Sequence, residues 1–124
     1  MRQSFAELVR AFAFAGRGIA HVFQTQRNMR VHLLISIGIA ALGWWLAISG
    51  VEWAILALTM GVVFAAEMTN TVIESTVDLA SPGQHPLAKI AKDVAAGAVL
   101  MLALFATLVG LIIFVPRLLT LMSR

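Results

Sequence analysis

Between positions 67 and 78 the chain reads E-M-T-N-T-V-I-E-S-T-V-D, with no Gly or Pro to interrupt a helix. At about 100° per residue, Glu67, Glu74 and Asp78 fall within roughly 40° of one another, with Asn70 on one flank and Thr71 on the other. One helical stripe thus carries three carboxylates and an amide. Grouped carboxylate and amide oxygens are hard ligands, suited to Mg²⁺ beside substrate phosphates better than to zinc. A desolvated carboxylate can also act as a general base towards a hydroxyl. Lys89, Lys92 and Asp93 follow on the next helical stretch, and ammonium groups can neutralise the oxygens of a phosphoryl group in transfer. The plain alternative is a solvated helix end with no chemistry.

The elements that must position this stripe are apolar. Of 124 residues, 60% are hydrophobic and 12% charged, which is the balance of a membrane protein of one domain. Without cysteine, disulfides, thiolate metal sites and cysteine nucleophiles are excluded. A net charge of +3, with the basic residues beside apolar runs, argues against a nucleic-acid partner and for membrane anchoring. No cleavable signal is expected, because the first thirty residues mix Arg with Phe and lack a small-residue cleavage site.

The fold expected is all-α: three transmembrane helices preceded by an amphipathic surface helix over about 4–23. Ser4 and Glu7 form a capping box there. Phe5, Leu8, Phe12, Ile19 and Phe23 share one face, and Gln3, Arg10, Arg17 and His21 the other, as in a helix lying in the membrane surface. Phe14 breaks that pattern by falling between Arg10 and Arg17. It is either buried against another helix or a base-stacking surface near cations. A polar joint, 24–30, leads to spans over about 31–48, 51–79 and 93–115. His32 reads as interfacial, and Trp44 and Trp45 as an aromatic belt. Ser49-Gly50 turns the chain, Ser81-Pro82-Gly83 ends the second span, and Pro116 stops the third. Gly97, in A-A-G-A, reads as a site of close helix packing.

Five Arg before the first span and two Lys between the second and third place the N-terminus and the stripe in the cytoplasm. Arg117 and Arg124 then lie outside, against the rule. At about 1.5 Å per residue, Glu67 lies about 21 Å beyond Trp53 and Glu74 about 31 Å. Against a hydrocarbon core of about 30 Å, Glu67 is just inside and Glu74 at the boundary. Acids at that depth are costly, so the default reading is a functional site. A small multidrug-type transporter competes, but it would want its acid near mid-membrane and usually four spans. A purely structural subunit leaves the cost of Glu67 unexplained. With no Gly-rich loop, a nucleotide would need another binding mode.

The stripe followed by H-P-L-A-K-I-A-K-D-V-A-A-G-A-V-L, with N-M-R-V-H-L ahead of the first span, resembles the prokaryotic diacylglycerol kinase and undecaprenol kinase family over nearly the whole chain. The resemblance implies a homotrimer in the bacterial inner membrane that moves the γ-phosphate of Mg-ATP to a lipid alcohol, at composite sites shared between subunits. It implies Glu67 as general base, Asn70 as a supporting polar group, Glu74 as a Mg²⁺ ligand, and Asp78, Lys92 and Asp93 at further active-site positions, Lys92 meeting phosphate. His85 and Lys89 match the nucleotide side, with Arg10, Phe14 and Arg17 on the surface helix. Gln26 departs from the pattern, since many members have Glu there to help hold the metal. The K-I-A-K-D-V-A-A-G-A-V-L run looks more like the undecaprenol kinase branch than the diacylglycerol kinase one.

Overall fold

A computed structural model describes residues 5–123, which form four helices: α1 (Phe5–Thr25), α2 (Arg27–Trp45), α3 (Gly50–Ala80) and α4 (Pro86–Met122). Ser4, Gln3 and Arg124 lie outside the described residues. Two of the helices, α3 and α4, are long and apolar enough to cross a membrane. They form an antiparallel hairpin and make the most extensive interhelical packing, with α2 against α3 and α1 touching α2 and α3 near its end.

The joint between α1 and α2 is sharper than expected. Rather than a polar segment over 24–30, α1 runs on to Thr25 and α2 begins at Arg27. Only Gln26 is extended, at φ −97° and ψ 117°, and its N–H still donates to the Val22 carbonyl at 2.8 Å. Gln26 occupies the N-cap position of α2 without a side-chain capping bond. Beneath the joint Met29 is fully buried and Val22 is buried. The Phe23 and Phe64 rings pack at 6.2 Å, tilted by 55°. The rest of the α1 apolar face, Phe5, Leu8, Phe12 and Ile19, is uncovered by the chain.

At the far end, the helix expected over 31–48 stops at Trp45, and the last three of those residues make a turn. The Ala47 N–H donates to the Trp44 carbonyl at 3.2 Å and the Ile48 N–H to that of Gly43, also at 3.2 Å. This is the paired bonding of a Schellman end, and Ala47 takes the left-handed position at φ 49°, where glycine is the usual occupant. Gly43 is needed for a different reason: a Cβ there would stand 3.0 Å from Ile48 Cδ1 and 3.1 Å from the Trp53 ring. Ser49 then caps α3, its hydroxyl accepting from the Glu52 N–H while the Glu52 carboxylate accepts from the Ser49 N–H.

Ile48, Leu56, Ile113 and Phe114 form the core at this end, with Leu42 and Trp53 packed around them. Between α2, α3 and α4 runs an apolar groove of about 450 Å³ that reaches His32.

Two stop signals act differently from their sequence reading. The loop after α3 is shorter than expected because α4 already starts at Pro86. His85 caps it, Nδ1 accepting from the Leu87 N–H at 3.2 Å, and Pro86 tolerates the first turn, where no N–H partner is required. Pro116 does not stop α4, which continues to Met122. Proline removes one ladder bond and disturbs its neighbours. Here the Arg117 side chain donates to the Ile113 carbonyl at 3.2 Å, supplying a bond next to the break. Within the chain Gly97 approaches no other helix, since a Cβ there would meet nothing within 4 Å; the buried small residue of that run is Ala95.

Candidate active site

The uninterrupted α3 carries the acidic stripe as one helix, and burial falls along it. Glu67 is 2% exposed, Asn70 and Glu74 are half-buried, and Asp78 is exposed. Glu67 lies beside α2, where its Oε1 stands 3.3 Å from His32 Nε2. That approach does not meet the geometry of a hydrogen bond, so Oε1 is buried without one. The Glu67 carbonyl accepts from the Thr71 hydroxyl at 2.9 Å. One turn on, Asn70 Nδ2 donates to Glu74 Oε1 at 3.0 Å, leaving the Asn70 Oδ1 buried with no partner. Buried polar atoms are seldom left unpaired. Here two orphaned oxygens, a carboxylate and an amide, lie one helical turn apart.

The second group sits at the Asp78 end of the stripe, about 16 Å along α3 from Glu67. Lys92 Nζ on α4 reaches Asp78 Oδ1 across the hairpin at 2.5 Å, and Lys89 pairs with Asp93 one turn along α4. Asp78, His85, Lys89 and Lys92 line an open cleft of about 900 Å³ with the Ser81–Gln84 loop. Because His85 Nδ1 is engaged as the cap, its Nε2 is the nitrogen left for a ligand.

The chain joins the predicted residues into these two groups and leaves others apart. Arg10, Phe14 and Arg17 are exposed on α1. Phe14 is not buried against another helix: it is 63% exposed, with the Arg17 guanidinium 4.6 Å from its ring centroid. Gln26 is half-buried, and among the described residues no hydrogen bond joins it to Glu74. His32 is the site residue that sequence reasoning passed over. The signal was present: His32 and Ser36 are polar at i and i+4 on an otherwise apolar helix face, and both line the groove.

Among the described residues no three His, Cys, Asp or Glu side chains gather closely enough to hold a metal. A zinc-type cage is therefore absent there. The Glu74 carboxylate and the orphaned Asn70 oxygen fit the other style of site, in which one or two protein oxygens hold Mg²⁺ and phosphates complete the shell.

Comparison with known proteins gives the class first: this is a lipid kinase, with ATP as its co-substrate. The chain belongs to the prokaryotic diacylglycerol kinase family, whose model matches residues 13–114. It is 41% identical over 117 residues to the undecaprenol kinase of Bacillus subtilis, covering 94% of this chain and 95% of that one. It is 44% identical over 117 residues to the diacylglycerol kinase of Synechocystis sp., covering 93% and 66%. The diacylglycerol kinase of Helicobacter pylori 26695 is 30% identical over 107 residues, covering 86% and 84%. The membrane and the lipid kinase class agree with the two long apolar helices; the transporter alternative is set aside.

Proposed function

We propose that this kinase phosphorylates undecaprenol from Mg-ATP at the cytoplasmic face of a bacterial inner membrane, with Glu67 as the base. The observation that carries the reading is the buried Glu67 carboxylate with an unpartnered oxygen. A carboxylate kept from water and facing no permanent cation can take the proton of an alcohol. As that proton leaves, the alcohol oxygen forms a bond to the γ-phosphorus and the bond from phosphorus to the ADP oxygen breaks. Asn70 holds Glu74 in place, and Glu74 with Gln26, helped by the orphaned Asn70 oxygen, would hold Mg²⁺. The metal, when bound, neutralises charge on the phosphate oxygens. Lys92 meets phosphate after release from Asp78, with Asp93 holding Lys89 beside it. His85, Lys89, Arg10, Phe14 and Arg17 form the nucleotide side.

The finer architecture belongs to the same reading. α2, α3 and α4 are the three spans, and α1 lies in the membrane surface, which suits its uncovered apolar face. The protein is a homotrimer with sites shared between subunits. Support comes from the α1 cations, which are exposed and make no hydrogen bond or ion pair to the acidic stripe among the described residues, since a second copy could supply them.

Undecaprenol is favoured by the 41% identity to a full-length undecaprenol kinase. Diacylglycerol is the second reading, supported by the 44% identity to the Synechocystis protein. Purified protein offered Mg-ATP with undecaprenol, diacylglycerol and ceramide in parallel tests both. Phosphorylated undecaprenol as the main product is expected; phosphatidic acid as the main product would replace the first reading with the second.

A further inference from the structure

We infer that His32 is a positioning residue for the base, an inference that rests on the assignment of Glu67 above. Among the described residues His32 is the one basic side chain in ion-pair range of Glu67. It comes from a different helix, so the contact links α2 to α3 at the depth of Glu67. An Nε2–H imidazole donates towards the carboxylate without bringing a fixed positive charge. Lys or Arg in the same place would hold Glu67 as an anion and make it a poorer base. A donor on the Nε2 side orients the carboxylate through one oxygen.

The 3.3 Å separation is a few tenths of an ångström longer than a good N–H···O bond. Hydrogen bonds of a catalytic site often tighten only when substrate is bound. A small rotation of either side chain would close the gap, turning one carboxylate oxygen to His32 and leaving the other for the acceptor hydroxyl. The groove supports this direction, because it ends at His32 and runs between the same three helices. An alcohol arriving along the groove meets the imidazole side of Glu67.

The test uses the full chain in mixed micelles, with kcat and both KM values measured for wild type, His32→Ala, His32→Gln, His32→Asn and Glu67→Gln. Removing a side chain that orients a reactive group costs about tenfold or more. His32→Ala is expected to lower kcat by about that factor, with KM for Mg-ATP changed by less than about twofold. His32→Gln should recover most of the loss, because its amide nitrogen can reach where Nε2 stood, while the shorter His32→Asn should not. The ¹⁵N signal of His32 Nε2 should shift in Glu67→Gln, which reports the contact itself, while the split of kcat from KM and the rescue by Gln distinguish positioning from a merely structural role. If His32→Ala does not fold, the Gln and Asn variants decide: equal, wild-type kcat in both overturns the inference. Wild-type kcat in His32→Ala with an inactive Glu67→Gln overturns the positioning role alone. An active Glu67→Gln removes the base itself and overturns both.

Discussion

Glu52 and Arg117 join the far ends of α3 and α4 through two parallel hydrogen bonds, Nη1 to Oε1 at 2.5 Å and Nη2 to Oε2 at 2.7 Å. The bidentate form is the geometry for which arginine is suited. It accounts for the cation that counted against the expected orientation: Arg117 is matched by a carboxylate on the neighbouring helix. Arg117→Met should leave Glu52 without its cation and lower resistance to unfolding in SDS. Turnover at low temperature should stay within about twofold of wild type, because Glu67 is about 22 Å of helix away from Glu52. A loss of kcat with unchanged stability would contradict this division of labour.

Glu67→Gln keeps size and hydrogen bonding but removes basicity. It should lower kcat by at least ~10². Near-wild-type turnover in a variant shown to be folded would exclude the base role.

Shared sites predict complementation. Glu67→Gln and Arg17→Ala protomers, each impaired alone, should recover part of the activity when co-reconstituted, if one site takes the stripe from one chain and the α1 cations from another. No recovery at any mixing ratio would count against that arrangement.

Gln26 lies at the α1–α2 joint and makes no capping bond with its side chain; the proposed metal role can be tested there. Gln26→Glu adds a charge near a divalent ion, partly offset by desolvation of the new carboxylate. The Mg²⁺ concentration giving half-maximal rate should fall by about tenfold. Superimposable Mg²⁺ titrations would show that the side chain does not face the metal.

Ala47 holds a left-handed conformation that an L-residue with a Cβ adopts at a cost of about 1–2 kcal/mol. Ala47→Gly should relieve part of it and stabilise the protein by about 1 kcal/mol, read from unfolding in SDS. Gly43→Ala should do the opposite, because Ile48 and Trp53 occupy the space of the new methyl.

These residues also mark what could be read from the chain alone. The acidic stripe was legible because it lies on one continuous helix, where spacing in sequence is spacing in space. The hairpin was legible because Ser81–Gly83 interrupts two apolar runs. His32 was not legible, since its meaning comes from a contact made across two helices. The turn at Ala47 was hidden because alanine carries no turn signal, and its bonds come from carbonyls of the preceding helix. Pro116 misled because the repair of its helix depends on the side chain that follows it. The α1 cations were legible as a face, but one chain does not bring that face to the stripe.

Each lysine of the cleft is already held by an aspartate, Lys92 by Asp78 and Lys89 by Asp93. At rest the cleft offers almost no net charge from these four groups. A bilayer surrounds such a protein with phosphodiesters in vast excess over any soluble nucleotide, and bare ammonium groups would attract them all. Exposed pairs of this kind are worth about 0–1 kcal/mol each, so either lysine is readily released to a phosphate. Charge balance in the cleft therefore means that an incoming polyanion gains a lysine only by displacing its aspartate, an exchange with a small cost.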